Sequence, residues 1–463
     1  MRHAVIVLVL ILLSLKAVNG QEYRSEVDFK IDGYTDSTIY VGYHFGNQKY
    51  LLDTLPVKKG QFHLSTNATN GVYFLYSPEY YFEFILENGQ YSLKTTRDNS
   101  FQNLVVSGSS ENELFREFQD KMISLQTKQR ELAEQLKQVS GNDSLSMINE
   151  MKTLGEEMTE FRKGLISNNQ DSFVARFLSL MGSVTPPAFE ELPKEERNLK
   201  SYLYIKDHYF DDIDLSSPEL LRTPLLHAKV MEYFNRVLVQ HPDSINAGID
   251  LLFEGIGDSD ELYRYWLVTL FKKYAESKIM GMDAVMVHLA KDYYLSGKAD
   301  WISDEYRKQL QEEVAYIQHG LIGKTAPPIG EVIDTLMQPV YMEQIASPYT
   351  LLFIYDPDCG HCKKAIKQME QRNEELYDLG IQVFALCTTT DVDRWKKFVR
   401  TSDPDWLHAI DPTGKNYFRV YYNVRSTPQV YLLDESKTII AKKLEFDQFI
   451  DLVKDLENVP NQD

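Results

Sequence analysis

Cysteine is nearly missing: 463 residues contain three, Cys359, Cys362 and Cys387. A fold stapled by disulfides would need more, usually an even number, so packed cores must hold this chain together. Basic charge is also short, with 49 Lys and Arg against 68 Asp and Glu and a net charge of −19. Nothing basic therefore suggests nucleic acid, whose binding needs a cationic face that displaces counterions. Long apolar runs are missing except at the start. Ala4 to Leu15 is apolar, but it is short of the ~20 residues a membrane span needs. Arg2 and His3 precede it, and Lys16-Ala17-Val18-Asn19-Gly20 follow. That order reads as a secretory signal peptide over residues 1–20, cleaved near Gly20/Gln21, with an uncleaved anchor as the competing reading. No cysteine lies near that point to carry a lipid. The expected location is therefore periplasmic or otherwise exported, with no integral span after cleavage.

The length calls for several domains of ~100–200 residues each. Residues 21–108 alternate apolar and polar, as in Val27, Phe29, Ile31 and Phe82, Phe84, Leu86, with turn signals at Lys59-Gly60 and Asn88-Gly89. This predicts a small antiparallel β sandwich or barrel. Over 109–183 the period changes to three/four. Phe118, Met122, Leu125, Leu132, Leu136 and Val139 form one stripe; Met147, Met151, Leu154, Met158, Phe161 and Leu165 form another. Gly141-Asn142-Asp143 lies between them, so a helical hairpin that buries both stripes is expected, ahead of an intermolecular coiled coil. Pro186-Pro187 opens a helical, aromatic-rich domain, 184–320. Its cluster Asp211, Asp212 and Asp214 reads as a solvated turn rather than a calcium loop.

Residues 321–463 alternate strand and helix, which predicts an α/β sheet covered on both faces. Thr350 to Tyr355 and Ile381 to Leu386 are buried strands. Lys363 to Leu379 and Asp391 to Arg400 are helices, the latter capped by Asp391. Gln429 to Leu433 and Thr438 to Lys442 form a hairpin before a last helix near Phe446 to Leu456.

Asp358-Cys359-Gly360-His361-Cys362-Lys363 follows the first of these strands and opens a helix. Free N–H groups and the dipole at a helix start stabilise an anion, so the Cys359 thiol should ionise readily. Its thiolate attacks a disulfide, and Cys362, one turn on, resolves the mixed disulfide. His361, when protonated, favours the Cys359 thiolate and makes the pair more oxidising. Other uses of the pair fit less well. A zinc site needs a second pair, a c-type haem site needs His where Lys363 stands, and a structural bond would close a tiny loop. Cys387, at a strand end, reads as a buried structural thiol. Trp395 and Trp406 read as packing or surface anchors.

These residues resemble the thioredoxin superfamily, most of all its extracytoplasmic TlpA/ResA-like branch. The resemblance covers 321–460 and rests on Gly323-Lys324-Thr325-Ala326-Pro327, Cys359-Gly360-His361-Cys362 and Ser426-Thr427-Pro428-Gln429. It implies a cis Thr427–Pro428 bond beside the cysteines, with Thr427, Pro428 and Gly360 positioning an extended substrate segment. The Cys-Gly-His-Cys quartet is similar to that of protein disulfide isomerases, so isomerase or oxidase chemistry stays open beside reduction. Three positions depart from the family pattern. Phe353 replaces a buried acid, Ala365 replaces a Glu, and Asp358 replaces an aromatic. The proton acceptor for Cys362 is thus open, with Asp356 and Asp358 as candidates. Residues 22–320 resemble the β-plus-helical extensions of exported Bacteroidetes proteins, through layout and phrases such as His208-Tyr209-Phe210-Asp211.

The expectation is an exported thiol–disulfide oxidoreductase that acts on protein thiols and disulfides. It would need no metal or organic cofactor and would exchange electrons with another thiol protein. The alternative from a different class is a docking protein whose upstream domains bind a partner.

Overall fold

The computed structural model describes residues 24–98, 100–137, 142–401 and 406–458. The expected signal peptide, Val139 and the hairpin glycine Gly141 lie outside these residues. The chain forms two compact units, one ending at Tyr233 and the other starting at Phe234.

The first unit opens with eight strands: β1 (Ser25–Asp32), β2 (Thr38–Phe45), β3 (Gln48–Pro56), β4 (Gln61–Thr66), β5 (Gly71–Ser77), β6 (Tyr80–Leu86), β7 (Gly89–Thr96) and β8 (Val105–Ser107). They form two four-stranded sheets, β4-β1-β7-β8 and β3-β2-β5-β6. The alternating apolar residues face inward. Val27, Phe29 and Ile31 of one sheet share a core with Ile39, Val41, Phe82 and Phe84 of the other, as two stacked sheets require. Lys59-Gly60 makes the expected turn, and both residues take positive φ. One feature departs from the antiparallel expectation: β1 and β7 pair in parallel. Both start at the same edge of their sheet, where the Gly89 N–H reaches the Arg24 carbonyl at 3.0 Å.

Two long helices follow, α1 (Ser110–Leu136) and α2 (Asn142–Asn168). Ser109 caps α1, accepting from the Asn112 N–H. The buried Asn112 amide completes β6 by pairing with both the N–H and the carbonyl of Ile85, at 2.9 and 2.7 Å. The helices pack on each other, yet the expected stripes are only partly covered. Phe118, Leu125, Leu154 and Leu165 are buried, while Met122, Leu132, Met147 and Met158 are only half-buried. A pair of helices covers one narrow seam; full burial needs further neighbours. Those neighbours come near the base, where α3 (Phe173–Ser179) packs and Glu111 of α1 accepts from the Phe173 and Val174 N–H groups. Helices α4 (Lys194–Asp207) and α5 (Leu226–Glu232) complete this unit. Between them Asp214 caps a turn by accepting from the Ser216 N–H and hydroxyl.

The second unit begins with α6 (Pro242–Ile256), α7 (Asp260–Ala275), α8 (Asp283–His288) and α9 (Asp304–Ile317). Its remainder holds β9 (Val332–Ile333), β10 (Pro339–Val340), β11 (Tyr349–Tyr355), α10 (Gly360–Gln371), α11 (Asn373–Asp378), β12 (Ile381–Cys387), α12 (Val392–Val399), β13 (Leu407–Ile410), α13 (Phe418–Tyr421), β14 (Gln429–Leu433), β15 (Ile439–Lys442) and α14 (Phe446–Asn458). The sheet order is β10-β9-β13-β12-β11-β14-β15. β11 pairs in parallel with β12 and antiparallel with β14. Apolar clusters cover both faces. Phe353, Tyr355, Trp395 and Phe449 lie on one, and Leu352, Ile354, Phe418 and Tyr422 on the other.

Two expectations about this domain need correction. Lys363 to Leu379 is two helices rather than one. The break falls at Arg372, whose backbone leaves helical geometry while its side chain binds Glu375 and Asp447. The short strands β9, β10 and β13 were not foreseen, because two to four residues carry too little period to read. Among the described residues, no helix is long and apolar enough to cross a membrane.

Asp411, fully buried after β13, holds the next turn by accepting from the N–H groups of Thr413, Gly414 and Asn416 at 2.9–3.0 Å. Burial opposes its charge, but these donors and the Thr413 hydroxyl hold its carboxyl below the usual range. Its stabilisation is therefore present above the unfolded pKa of ~3.9 and lost as pH falls through the lower folded value. Asp411→Ala is expected to cost about 1–3 kcal/mol at neutral pH, with a smaller penalty in acid. Urea denaturation at the two pH values checks this; an equal loss at both would contradict it.

Candidate active site

The site is built where β11 ends and α10 begins. β11 is buried along its length, so it delivers Asp356 to Cys359 to the rim of the sheet from a rigid base. Cys359 is itself the N-cap of α10, in extended backbone geometry. Its sulfur accepts from the Cys362 N–H at 3.2 Å. Its thiol donates to the Thr427 carbonyl at 3.2 Å. Thr427–Pro428 is a cis peptide. The loop before β14 is thus brought onto the sulfur of a residue far away in sequence.

The two thiols differ sharply in surroundings. Cys359 is part-exposed, whereas Cys362 is fully buried in the apolar cluster beneath it. Burial alone would raise the Cys359 thiol. Contacts from the Cys362 thiol, the Thr427 side chain and the Cys362 and His361 backbone outweigh it, and the thiol falls below its ordinary value. Cys362 is pushed up to about 12, first by burial and then by the neighbouring Cys359. The arrangement can therefore present one anionic sulfur to a partner while holding the second as a neutral thiol.

Gly360 and His361 occupy the first exposed positions of α10. A Cβ on Gly360 would meet open space, so its surface is free for close approach. The two candidate acids also separate. Asp358 is exposed and paired with Arg394. Asp356 is half-buried; it accepts from the Asp358 N–H at 2.8 Å and the Thr388 hydroxyl at 3.2 Å. Arg394 stands 3.6 Å from Asp356, so one guanidinium serves both acids. Phe353 is buried and stacks on Tyr355. Ala365 packs half-buried against the same cluster.

Sequence reasoning missed Tyr355, Thr388 and Arg394, and it left Trp395 as an unplaced anchor. Cys387 is buried, and burial pushes its thiol up to about 12. Tyr355 pairs with it across β11 and β12. Burial, followed by Cys387, raises the Tyr355 phenol far above its ordinary value. Trp395 is fully buried in this cluster with Cys362. Strand alternation could have flagged Tyr355 and Cys387, but only register brings them side by side.

The AhpC/TSA family matches residues 322–442. Upstream, two domains of unknown function match: DUF4369 over 26–115 and DUF5106 over 166–320. A solved domain of a possible thiol–disulfide isomerase from Cytophaga hutchinsonii is 31% identical, over 30% of this chain and 93% of that one, with TM-score 0.28. This chain belongs to the thioredoxin superfamily and is TlpA-like. Another similar solved structure is that of a thioredoxin-like protein from Bacteroides caccae, 15% identical over 59% of this chain and 97% of that one, TM-score 0.44. A third match is a conserved protein of unknown function from Bacteroides fragilis, 27% identical over 28% of this chain and 98% of that one, TM-score 0.27. No curated protein matches. The family is that of thioredoxin-like thiol–disulfide oxidoreductases.

The split between the thiols can be measured. In the reduced, folded protein, iodoacetamide should alkylate Cys359 with a pH midpoint below the ~8.5 of a free cysteine. Cys362 should stay unmodified until the protein unfolds. Mass spectrometry of peptides across a pH series decides; equal reaction of both thiols would contradict the assignment.

Proposed function

We propose that the protein is an exported thiol–disulfide oxidoreductase for protein substrates, with Cys359 as nucleophile and Cys362 as resolving thiol. The observation that carries this is the placing of the Cys359 sulfur at the start of α10. There it takes the Cys362 N–H and stays open to solvent, while the second sulfur is enclosed one turn behind. Attack by the Cys359 thiolate on a substrate disulfide forms one mixed S–S bond and releases one substrate thiolate, which takes up a proton. Cys362 then loses its proton and attacks the Cys359 sulfur. The Cys359–Cys362 bond forms, the second substrate sulfur leaves as a thiol, and two electrons have passed to the substrate. A dithiol protein of the same compartment would restore the pair.

Each neighbour has a part in this reading. The Thr427 carbonyl and the loop at Pro428 border the sulfur where an extended substrate segment would lie. His361, exposed beside Cys359, adds positive charge when protonated and favours the thiolate. Asp356 is favoured over Asp358 as proton acceptor for Cys362. It is the less exposed of the two, and Arg394 pairs more closely with Asp358 than with Asp356. Export rests on the apolar run Ala4 to Leu15 with its basic start and small-residue end. The chemistry runs in either direction, so the reduction potential of the pair sets whether it reduces, oxidises or isomerises.

Trapping tests the assignment. Cys362→Ser should accumulate mixed disulfides with several envelope proteins through Cys359. Cys359→Ser should give none, and Cys387→Ser should behave like the parent. Non-reducing gels with mass spectrometry read the outcome. A Cys362→Ser protein that captures one partner or none would favour a docking role instead.

A further inference from the structure

The loop that carries Cys359 places negative charge against the nucleophile. Asp358 is its chain neighbour, ~3.8 Å away between Cα atoms. Asp356 is tied into the same turn. Its carbonyl accepts from the Cys359 N–H at 3.1 Å, and its carboxylate accepts from the Asp358 N–H at 2.8 Å. Two carboxylates beside a sulfur work against a thiolate there, because like charges disfavour the ionised form. Yet Cys359 is the sulfur that attacks as an anion in the proposed reaction.

Arg394 meets both acids. Its guanidinium pairs with Asp358 and stands 3.6 Å from Asp356. Among the described residues, no other cation pairs with either carboxylate. The arginine is held in place from α12. Asp391 accepts from its backbone N–H at 3.0 Å, and the next residue, Trp395, is fully buried. On the other sides of the sulfur, α10 brings Cys362, His361 and Lys363. The loop that ends in Thr427 brings Arg425, which turns instead to Glu313 at 2.6 Å. The opposed signs of acid and arginine can be followed at Cys387. Burial acts on that thiol first; after it, Asp356 pushes the thiol up and Arg394 pulls it down.

We propose that Arg394 is a positioning residue of the reaction: acting through Asp356 and Asp358, it cancels the negative charge beside Cys359 and so sets how readily this sulfur becomes an anion. The inference rests on the oxidoreductase reading and adds to it the group that tunes the pair. Without Arg394 the two carboxylates stand uncompensated and the Cys359 thiolate loses stability. The disulfide form carries no charge on that sulfur, so it is then favoured and the pair becomes more reducing. The Arg394 side chain is 41% exposed and that of Asp358 73%, so solvent screens the effect and its size is moderate.

The test uses the full chain with Arg394→Gln, Arg394→Lys, Asp358→Asn and the double variant Arg394→Gln/Asp358→Asn. The pH midpoint of Cys359 alkylation by iodoacetamide is read by peptide mass spectrometry. Arg394→Gln should raise it by about 0.5 unit, and the rise should shrink in concentrated salt. Arg394→Lys keeps the charge and should stay near the parent. Asp358→Asn should lower the midpoint, and in the double variant it should bring the value back toward the parent. An arginine that only orders the loop would give no such recovery, since Asp358→Asn cannot restore the lost contact. In glutathione redox buffers at about pH 8, Arg394→Gln should favour the Cys359–Cys362 disulfide by up to about threefold. A midpoint unmoved by Arg394→Gln, or moved without recovery in the double variant, overturns the inference. Should the midpoints follow the expected order while no Cys359–Cys362 bond forms in any buffer, the charge assignment holds and the oxidoreductase reading fails.

Discussion

The chemistry proposed for this protein depends on one hydrogen bond, from the Cys362 N–H to the Cys359 sulfur. It exists because Cys359 is the cap of α10, so that the first free N–H groups of the helix converge on its side chain. A sulfur in that position is held as an acceptor. The same turn places Cys362 underneath, where apolar packing works against its charge. One helix start therefore gives opposite electrostatics to two identical side chains only three residues apart.

That arrangement needs rigid support, and the support is mostly apolar. β11 is an interior strand of the seven-stranded sheet and is covered on both faces, which fixes where the helix begins. The cysteine loop is then trimmed by polar contacts. Asp356 holds the Asp358 N–H and the Thr388 hydroxyl, and Arg394 spans the two acids from α12. Exposed ion pairs of this kind contribute little stability. Their effect here is to limit where the loop before Cys359 can go. Elsewhere, buried polar groups such as Asn112 and Asp411 pair with backbone at the ends of elements. Both close hydrogen-bond accounts that the ladders leave open.

Lys442 shows how the helical segment is tied to the sheet edge within the second unit. Its ammonium is almost fully enclosed between Asp283 of α8 and the Gly320 carbonyl. A buried pair of this type is costly to break once made. It sets the position of α8 against β15. The upstream sandwich and helical hairpin contain no cysteine and, among the described residues, no group of side chains that could hold a metal ion.

By itself, the amino-acid sequence determined the local matters: alternation for the strands of the sandwich, the three/four period of α1 and α2, and a cysteine pair set between a buried strand and a helix. Each depends on neighbours within one or two turns of chain, so spacing alone carries it. Only the tertiary structure decided the rest. The parallel pairing of β1 with β7, the short strands β9, β10 and β13, and the break at Arg372 answer to contacts from distant segments. The same holds at the site, where Tyr355 meets Cys387 and Arg394 meets two acids across separations that no periodicity encodes, whereas the meeting of Cys359 with Thr427 was already implied by the family resemblance. Local geometry is set by bonded neighbours, but burial and electrostatics are set by whichever residues the folded chain brings alongside.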